Sequence, residues 1–242
     1  MKIPGGYREG ARDALPVVLG YFPIAVAYGI LARQAGISPL YTVLMSVMVF
    51  AGSSQFIGVS MIAGGAAAGV IIMTTFLVNL RHLLMSASLS PYYKKFPLKW
   101  LPLLAFGLTD ETFAVASTVL RQQPKDERYV FALQMTSYSS WVTGSLAGSL
   151  LGGGLAGASS LGLEYILYAM FIFLLVIQLT NRKMLLVALF AGIFALVGAS
   201  LFPGHWYIIL ATLLGATLGV VMDDGRKILS SFFGNGPGNV ST

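Results

Sequence analysis

The chain has 242 residues, of which 56% are hydrophobic and 10% charged, and its mean hydropathy is +0.79. Because soluble domains carry about 25% charged residues, this composition excludes a separate soluble domain and predicts an integral membrane protein. The formal charge of +6 comes from basic residues scattered over short loops, so it indicates membrane topology and not nucleic-acid binding. The absence of cysteine excludes disulfides and thiolate metal sites.

Eight apolar segments approach the length of about 20 residues that a helix needs to cross the hydrocarbon layer. Short separators rich in glycine or basic residues lie between them. We therefore predict an all-α transmembrane domain over residues 1–225 and a polar tail over residues 226–242. The segments are 13–33, 40–62, 66–91, 98–120, 129–152, 162–180, 184–202 and 204–222.

The basic loops leave the number of spans open between seven and eight. Basic residues at 182–183 and 226–227 indicate a cytoplasmic C-terminus, and eight spans then put the N-terminus on the same side. This assignment places the lysines of 94–99 outside and the basic residues of 121–128 inside, so one of the two loops violates the rule. Seven spans, with one early segment re-entrant, is the alternative.

Segments 2, 3 and 4 are interrupted by polar residues near their middles, and segment 1 contains Pro16 and Pro23. Broken helices at membrane depth are tolerated where the freed backbone is buried in protein or lines a wet cavity, and they are typical of transporter binding sites. We predict a mid-membrane cavity whose substrate-binding residues are Gly52, Ser53, Ser54, Gln55, Asn79 and Thr109. Its apolar walls are expected to be Phe56, Ile57, Phe106 and Phe113.

Asp110 and Glu111 stand side by side in the fourth segment, where one ionised group costs about 2.5–3.5 kcal/mol at the bilayer centre. Arg81 lies well inside the third segment, and we predict that it pairs with one of these acids. Adjacent carboxylates point about 100° apart on a helix, so the other acid faces the cavity. His82 is a candidate for proton coupling or a donor to a backbone carbonyl. These four residues are the predicted ion-coupling or gating group.

A weak internal repeat relates Ser53–Gly58 to Ser139–Gly144. It favours an inverted repeat of three plus three spans, followed by two C-terminal helices. Glycines at 144, 148 and 152 and at 215 and 219 suit close helix contacts. Two such faces suggest an external helix, or a second copy of the chain, as a partner.

The chain contains none of the short motifs of hydrolases, metalloproteases or P-loop proteins. We therefore predict no enzymatic activity, no metal and no cofactor. A secondary transporter for a small polar or zwitterionic solute is favoured. A passive channel for a small polar solute and a membrane assembly subunit without its own transport path remain the alternatives.

Four stretches of the sequence carry a family resemblance: 14–29, 50–56, 79–87 and 108–113. Together they resemble the AzlC family, the large subunits of bacterial branched-chain amino acid exporters. The resemblance implies a multi-pass protein of the bacterial cytoplasmic membrane that exports valine, leucine, isoleucine and related hydrophobic amino acids such as methionine. Protons are the expected coupling ion because His82 and the adjacent acids lie inside apolar segments. It also implies a small AzlD-type membrane subunit as partner.

Overall fold

The computed structural model describes residues 6–154 and 182–201, together with single positions between 165 and 219. All regular structure in this part of the chain is helical, as the sequence predicts. The chain divides into two compact units, 1–171 and 172–242. The predicted segments 162–180 and 204–222 are described only at single positions, and the predicted tail 226–242 lies outside the described residues.

The first unit contains nine of the described helices and one 3-10 turn, and the second contains the helix Arg182–Leu201. Predicted segments 1, 5 and 7 are continuous helices, whereas segments 2, 3 and 4 are each divided. The bounds are α1 Tyr7–Asp13, α2 Leu15–Gln34, α3 Pro39–Met48, α4 Gly52–Ala63, α5 Ala68–Asn79, α6 Arg81–Tyr93, a 3-10 turn Leu98–Trp100, α7 Leu101–Phe106, α8 Asp110–Gln122, α9 Glu127–Leu151 and α10 Arg182–Leu201.

Helix starts are fixed by local capping. Ser38 Oγ accepts a hydrogen bond from the Tyr41 amide at the start of α3, and Asp126 Oδ1 accepts one from the Tyr129 amide at 3.0 Å at the start of α9. Such caps satisfy amides that have no partner inside the helix. The capped starts therefore set where each helix begins after a loop.

The glycine face of α9 packs tightly on α2. A Cβ added to Gly144 would lie 2.7 Å from Ala25 Cβ, and one added to Gly148 would lie 2.0 Å from the Val26 carbonyl oxygen. Gly152 meets Arg33 in the same register, so α2 and α9 run parallel. The chain itself therefore covers this glycine face, and the expected partner subunit stays a prediction.

The second unit uses its glycines in a similar way. A Cβ on Gly215 would lie 3.0 Å from Ala191 Cβ, and one on Gly219 would lie 3.9 Å from Val187. Gly215 thus lies close to α10, whereas Gly219 makes only an ordinary van der Waals contact with it.

The N-terminal helix α1 contacts the loop before α9 and the first turn of α9. Lys125 Nζ forms an ion pair with Glu9, and Tyr129 donates its hydroxyl to Asp13 Oδ2 at 2.7 Å. The Lys125 side chain is only 1% exposed. A lysine that the sequence assigns to a topology signal is therefore also a structural partner of the N-terminus.

Two helical stretches among the described residues are long and apolar enough to cross a membrane: Leu15–Gln34 and Ala68–Tyr93, the latter comprising α5 and α6. The predicted number of seven or eight spans stays a prediction, as does the internal repeat. The two stretches of that repeat differ locally, because Ser53–Gly58 follows a break and Ser139–Gly144 lies inside continuous α9. Their aligned residues nevertheless touch, since Trp141 Nε1 donates to Gln55 Oε1 at 3.0 Å.

Candidate functional site

Helix breaks interrupt predicted segments 2 and 4, at residues 49–51 and 107–109, and α4 and α8 begin after them in the middle of apolar stretches. In segment 3 only Leu80, whose backbone stays helical, separates α5 from the start of α6 at Arg81. Phe50 in the first break has φ +43°, a backbone conformation that is unfavourable for a bulky residue. Such strain is retained where surrounding packing enforces it, often at functional sites.

Arg81 joins the three helix starts. As the first residue of α6, it places Nη1 2.9 Å from Oδ2 of Asp110, the first residue of α8. Its Nη2 donates to the Ser53 hydroxyl in the first turn of α4. The ion pair expected from the sequence is therefore present, and Asp110 is the acid involved.

Glu111 takes part in a separate group of hydroxyls. The hydroxyl oxygen of Tyr21, on α2, lies 2.5 Å from Glu111 Oε2 and 2.6 Å from Thr109 Oγ1. Thr109 caps α8, and its Oγ1 accepts a hydrogen bond from the Thr112 amide. Because a phenol has one proton, Tyr21 donates it to the carboxylate and can accept one from Thr109.

Gln55 and Gly52 belong to a buried polar network behind these groups. Gln55 Nε2 donates to Ser46 Oγ at 3.0 Å, and Ser46 donates to Ser145 at 2.7 Å. Gly52 leaves room for the Trp141 ring, which would lie 2.6 Å from an added Cβ. The Ser54 hydroxyl donates a hydrogen bond to the Ala51 carbonyl at 2.9 Å. These contacts make Gly52, Ser54 and Gln55 supports of the α4 start.

Two buried polar atoms where α5 meets α6 have no hydrogen-bond partner among the described residues. They are Asn79 Oδ1, at the end of α5, and Arg81 Nε. An unsatisfied buried polar atom costs about 1–3 kcal/mol, so such atoms call for a ligand or water. His82 Nδ1 donates to the Asn79 carbonyl at 3.0 Å, which is the structural alternative expected for this histidine.

Aromatic rings lie beside the Tyr21–Glu111 contact. Phe50 packs edge-on against Tyr21 and Tyr138, with ring centroids 6.3 and 5.0 Å apart, and lies 6.3 Å from the Phe106 ring. Phe106 is partly exposed, in keeping with a wall residue, whereas Phe56 is 2% exposed and packs on Tyr28. The expectation that Phe56 lines a cavity is therefore wrong, because that ring fills the core between α2 and α4.

The residues that were expected to line one cavity thus form separate groups, each defined by direct contacts between its members. Ser53, Arg81 and Asp110 touch directly, and Thr109 and Glu111 meet at Tyr21. A surface pocket of about 620 Å³ lies elsewhere, along α3 and the end of α4, and its lining includes none of the predicted site residues.

Sequence reasoning missed Tyr21 and Trp141 as site residues. Tyr21 lies two residues before Pro23 in the first interrupted segment, and this proline was the available signal. Trp141 lies in a continuous helix, where only its alignment with Gln55 in the weak repeat pointed to it.

The structure defines an all-helical protein in which divided apolar helices meet at paired charges. The chain belongs to the AzlC family, because the family described as AzlC protein matches residues 16–155, more than half of the sequence. The matched part contains all the groups that form the helix-start junction.

Curated relatives agree with this assignment. The inner membrane protein YgaZ of Escherichia coli (strain K12) is 35% identical over 202 residues, covering 81% of this chain and 82% of that protein. The branched-chain amino acid transport protein AzlC of Bacillus subtilis (strain 168) is 29% identical over 221 residues, covering 91% and 85%. An uncharacterized membrane protein of Archaeoglobus fulgidus is 34% identical over 182 residues, covering 73% and 76%. No solved structure matches the chain. Because the relatives are named as membrane proteins and the chain has apolar helices, the chain is a membrane protein.

Proposed function

We propose that the protein is a secondary transporter that exports valine, leucine, isoleucine and related hydrophobic amino acids, with methionine among them, across the bacterial cytoplasmic membrane. The observation that carries this proposal is the junction of three helix starts at Arg81. The name of the Bacillus subtilis relative, a branched-chain amino acid transport protein, supports the substrate class. Protons are the coupling ion of the proposal.

The junction offers groups for both ends of a zwitterion. Arg81 Nε and the free amides at the α4 start are donors for a carboxylate. Asn79 Oδ1 is an unpartnered acceptor for an ammonium group. The exposed Phe106 ring, which packs on the buried Phe50 ring, lies beside this polar region and suits an aliphatic side chain. A zwitterion with an apolar side chain therefore matches the available chemistry.

Counterflow of labelled valine tests the proposed function. Proteoliposomes loaded with unlabelled valine are expected to accumulate the label transiently, and leucine or isoleucine in excess should suppress this uptake while glutamate and lysine should not. A passive channel would equilibrate the label without a transient excess. An assembly subunit would give no flux under any of these conditions.

We also propose a small AzlD-type subunit as the partner, on the strength of the resemblance. The α5–α6 stretch presents large apolar side chains outward, including Ile72, Phe76 and Leu83, and such a surface suits either lipid or another membrane helix. The counterflow assay is therefore run with the chain alone and with the co-expressed small subunit. Full activity of a monodisperse preparation of the chain alone would contradict the partnership.

For topology, we propose that each divided segment crosses the membrane, giving eight crossings in the whole chain. Parallel α2 and α9 support this arrangement, because an odd number of crossings must separate two spans that run in the same direction. A re-entrant segment among segments 2 to 4 would instead make α2 and α9 antiparallel. The ion pair between Glu9 and Lys125 is consistent with an N-terminus and a 123–126 loop on the same side of the membrane.

Cysteine labelling tests this topology, and the absence of native cysteine makes single substitutions unambiguous. We expect Arg8→Cys and Gln123→Cys to react with an impermeant thiol reagent only after cells are permeabilised. Lys95→Cys should react in intact cells. Labelling of Lys95→Cys from the same side as Arg8→Cys would refute eight crossings.

A further inference from the structure

Glu111 and its neighbour Asp110 have different interaction partners. Asp110 is neutralised by Arg81 at 2.9 Å, whereas Glu111 forms no ion pair within the part of the chain that the structure describes. Its partner is the Tyr21 hydroxyl at 2.5 Å. The two adjacent acids therefore have different electrostatic surroundings.

The charges at the junction do not balance when both acids are ionised. The charged or titratable groups around Glu111 are Tyr21 on α2, Asp110 on α8 and Arg81 on α6. His82 on α6 lies near Arg81 and Asp110 and donates Nδ1–H to the Asn79 carbonyl. With His82 neutral, one arginine faces two carboxylates, and a single proton on Glu111 makes the group neutral.

The hydroxyl of Tyr21 has two acceptors within reach, and this permits a change of state without loss of a hydrogen bond. When Glu111 is ionised, Tyr21 donates to its Oε2. When Glu111 carries a proton, the Tyr21 O–H can turn to Thr109 Oγ1, 2.6 Å away, while its oxygen accepts from the carboxyl. Thr109 is itself fixed by the cap of α8. Both protonation states are thus accommodated by rotation of the Tyr21 hydroxyl, with the Thr109 hydroxyl turned to Thr112 Oγ1, 3.1 Å away.

We infer that Glu111 is the group that takes up and releases the coupling proton, that Tyr21 is its positioning residue, and that Asp110 is the fixed counter-ion of Arg81. This inference rests on the proposed function. The step is a proton transfer: an aqueous proton binds a Glu111 carboxylate oxygen from one side and leaves to water on the other. No other bond forms or breaks.

The first test compares transport with and without a pH gradient. Two variants are reconstituted: Glu111→Gln and, as a control at the start of α9, Glu127→Gln. For each one, the ratio of gradient-driven valine accumulation to valine counterflow is measured. We expect this ratio to fall at least tenfold in Glu111→Gln, and counterflow in that variant to lose its dependence on pH. Glu127→Gln should match the wild type in both measurements.

The second test uses the wild-type protein and does not depend on the folding of a variant. Dicyclohexylcarbodiimide adds to a protonated carboxyl: the acid proton moves to a carbodiimide nitrogen and the carboxylate oxygen bonds to its carbon. We expect the adduct on Glu111 and not on Asp110, with a rate that rises as pH falls, as measured by peptide mass spectrometry.

The outcomes separate this inference from the proposed function. Wild-type protein without counterflow would contradict the proposed function itself. Wild-type counterflow that ignores the gradient would overturn the inference alone. Two results with Glu111→Gln would also overturn the inference. In one, the pH gradient still drives valine accumulation by the variant; in the other, gradient-driven accumulation and counterflow fall by the same factor. An adduct on Asp110 with Glu111 unmodified would also overturn it.

Discussion

Replacing Arg81 with alanine is expected to lower the free energy of unfolding by about 3–5 kcal/mol, the cost of leaving one buried charge of a pair unpartnered. The Arg81 and Asp110 side chains are 28% and 20% exposed, so the lower end of this range applies. The variant also loses the hydrogen bond to Ser53 that connects α6 with α4. Thermal unfolding in mild detergent measures the loss, with exposed Arg121→Ala as the matched control.

The structure adds an asymmetry between the two acids that double variants reveal. Arg81→Ala combined with Asp110→Asn removes both charges of the pair and should recover part of the lost stability. Arg81→Ala combined with Glu111→Gln leaves Asp110 unpartnered and should recover little. Equal recovery in both double variants would show that Arg81 does not discriminate between the acids.

Replacing Gly148 with alanine is expected to destabilise the first unit by at least about 1–3 kcal/mol, the usual cost of overpacking. The added Cβ would lie 2.0 Å from the Val26 carbonyl oxygen, and backbone cannot move aside as a flexible side chain can. The α2–α9 contact would therefore have to separate. This contact positions Tyr21 on α2 relative to Trp141 on α9, whose rings lie 5.4 Å apart, so transport should fall as well.

Gly192→Ala is the matched control for this substitution. Gly192 lies inside α10, and a Cβ there meets nothing within 4 Å among the described atoms. Alanine is favoured over glycine in a helix by about 1 kcal/mol, so this variant should be as stable as the wild type or more so. Equal effects on unfolding at both positions would contradict close packing of Gly148 against the Val26 carbonyl.

The divided helices could be predicted from sequence because their signals are local. Polar residues in apolar segments mark the breaks at 49–51 and 107–109 and the division at Leu80, and the scarcity of deep cations identifies Arg81 as the partner of an acid. The angle of about 100° between adjacent side chains on a helix also predicts that only one of the two acids pairs with Arg81. The other acid was expected to face the cavity, and Glu111 instead contacts Tyr21. The predicted pairing of Arg81 with an acid is therefore confirmed, whereas the predicted substrate-binding roles stay predictions.

The remaining contacts depend on long-range packing, which has no local signal. Tyr21 reaches Glu111 across 90 positions of sequence, and Lys125 reaches Glu9 across 116. The glycine spacing of α9 predicts a close helix neighbour without specifying which helix it is. For the same reason, the sequence did not identify α2 as the neighbour of the α9 glycines, and it placed Phe56 at a cavity wall although its ring is buried against Tyr28.

Valine counterflow by Asn79→Ala tests most directly whether the helix-start junction binds substrate. Asn79 Oδ1 has no described partner, so its removal should leave thermal stability near that of the wild type. Counterflow should nevertheless fall at least about tenfold, the effect of losing roughly 1.4 kcal/mol of binding. Ser90→Ala, on the same apolar stretch, should leave counterflow unchanged. Wild-type counterflow in a stable Asn79→Ala protein would contradict a substrate site at this junction.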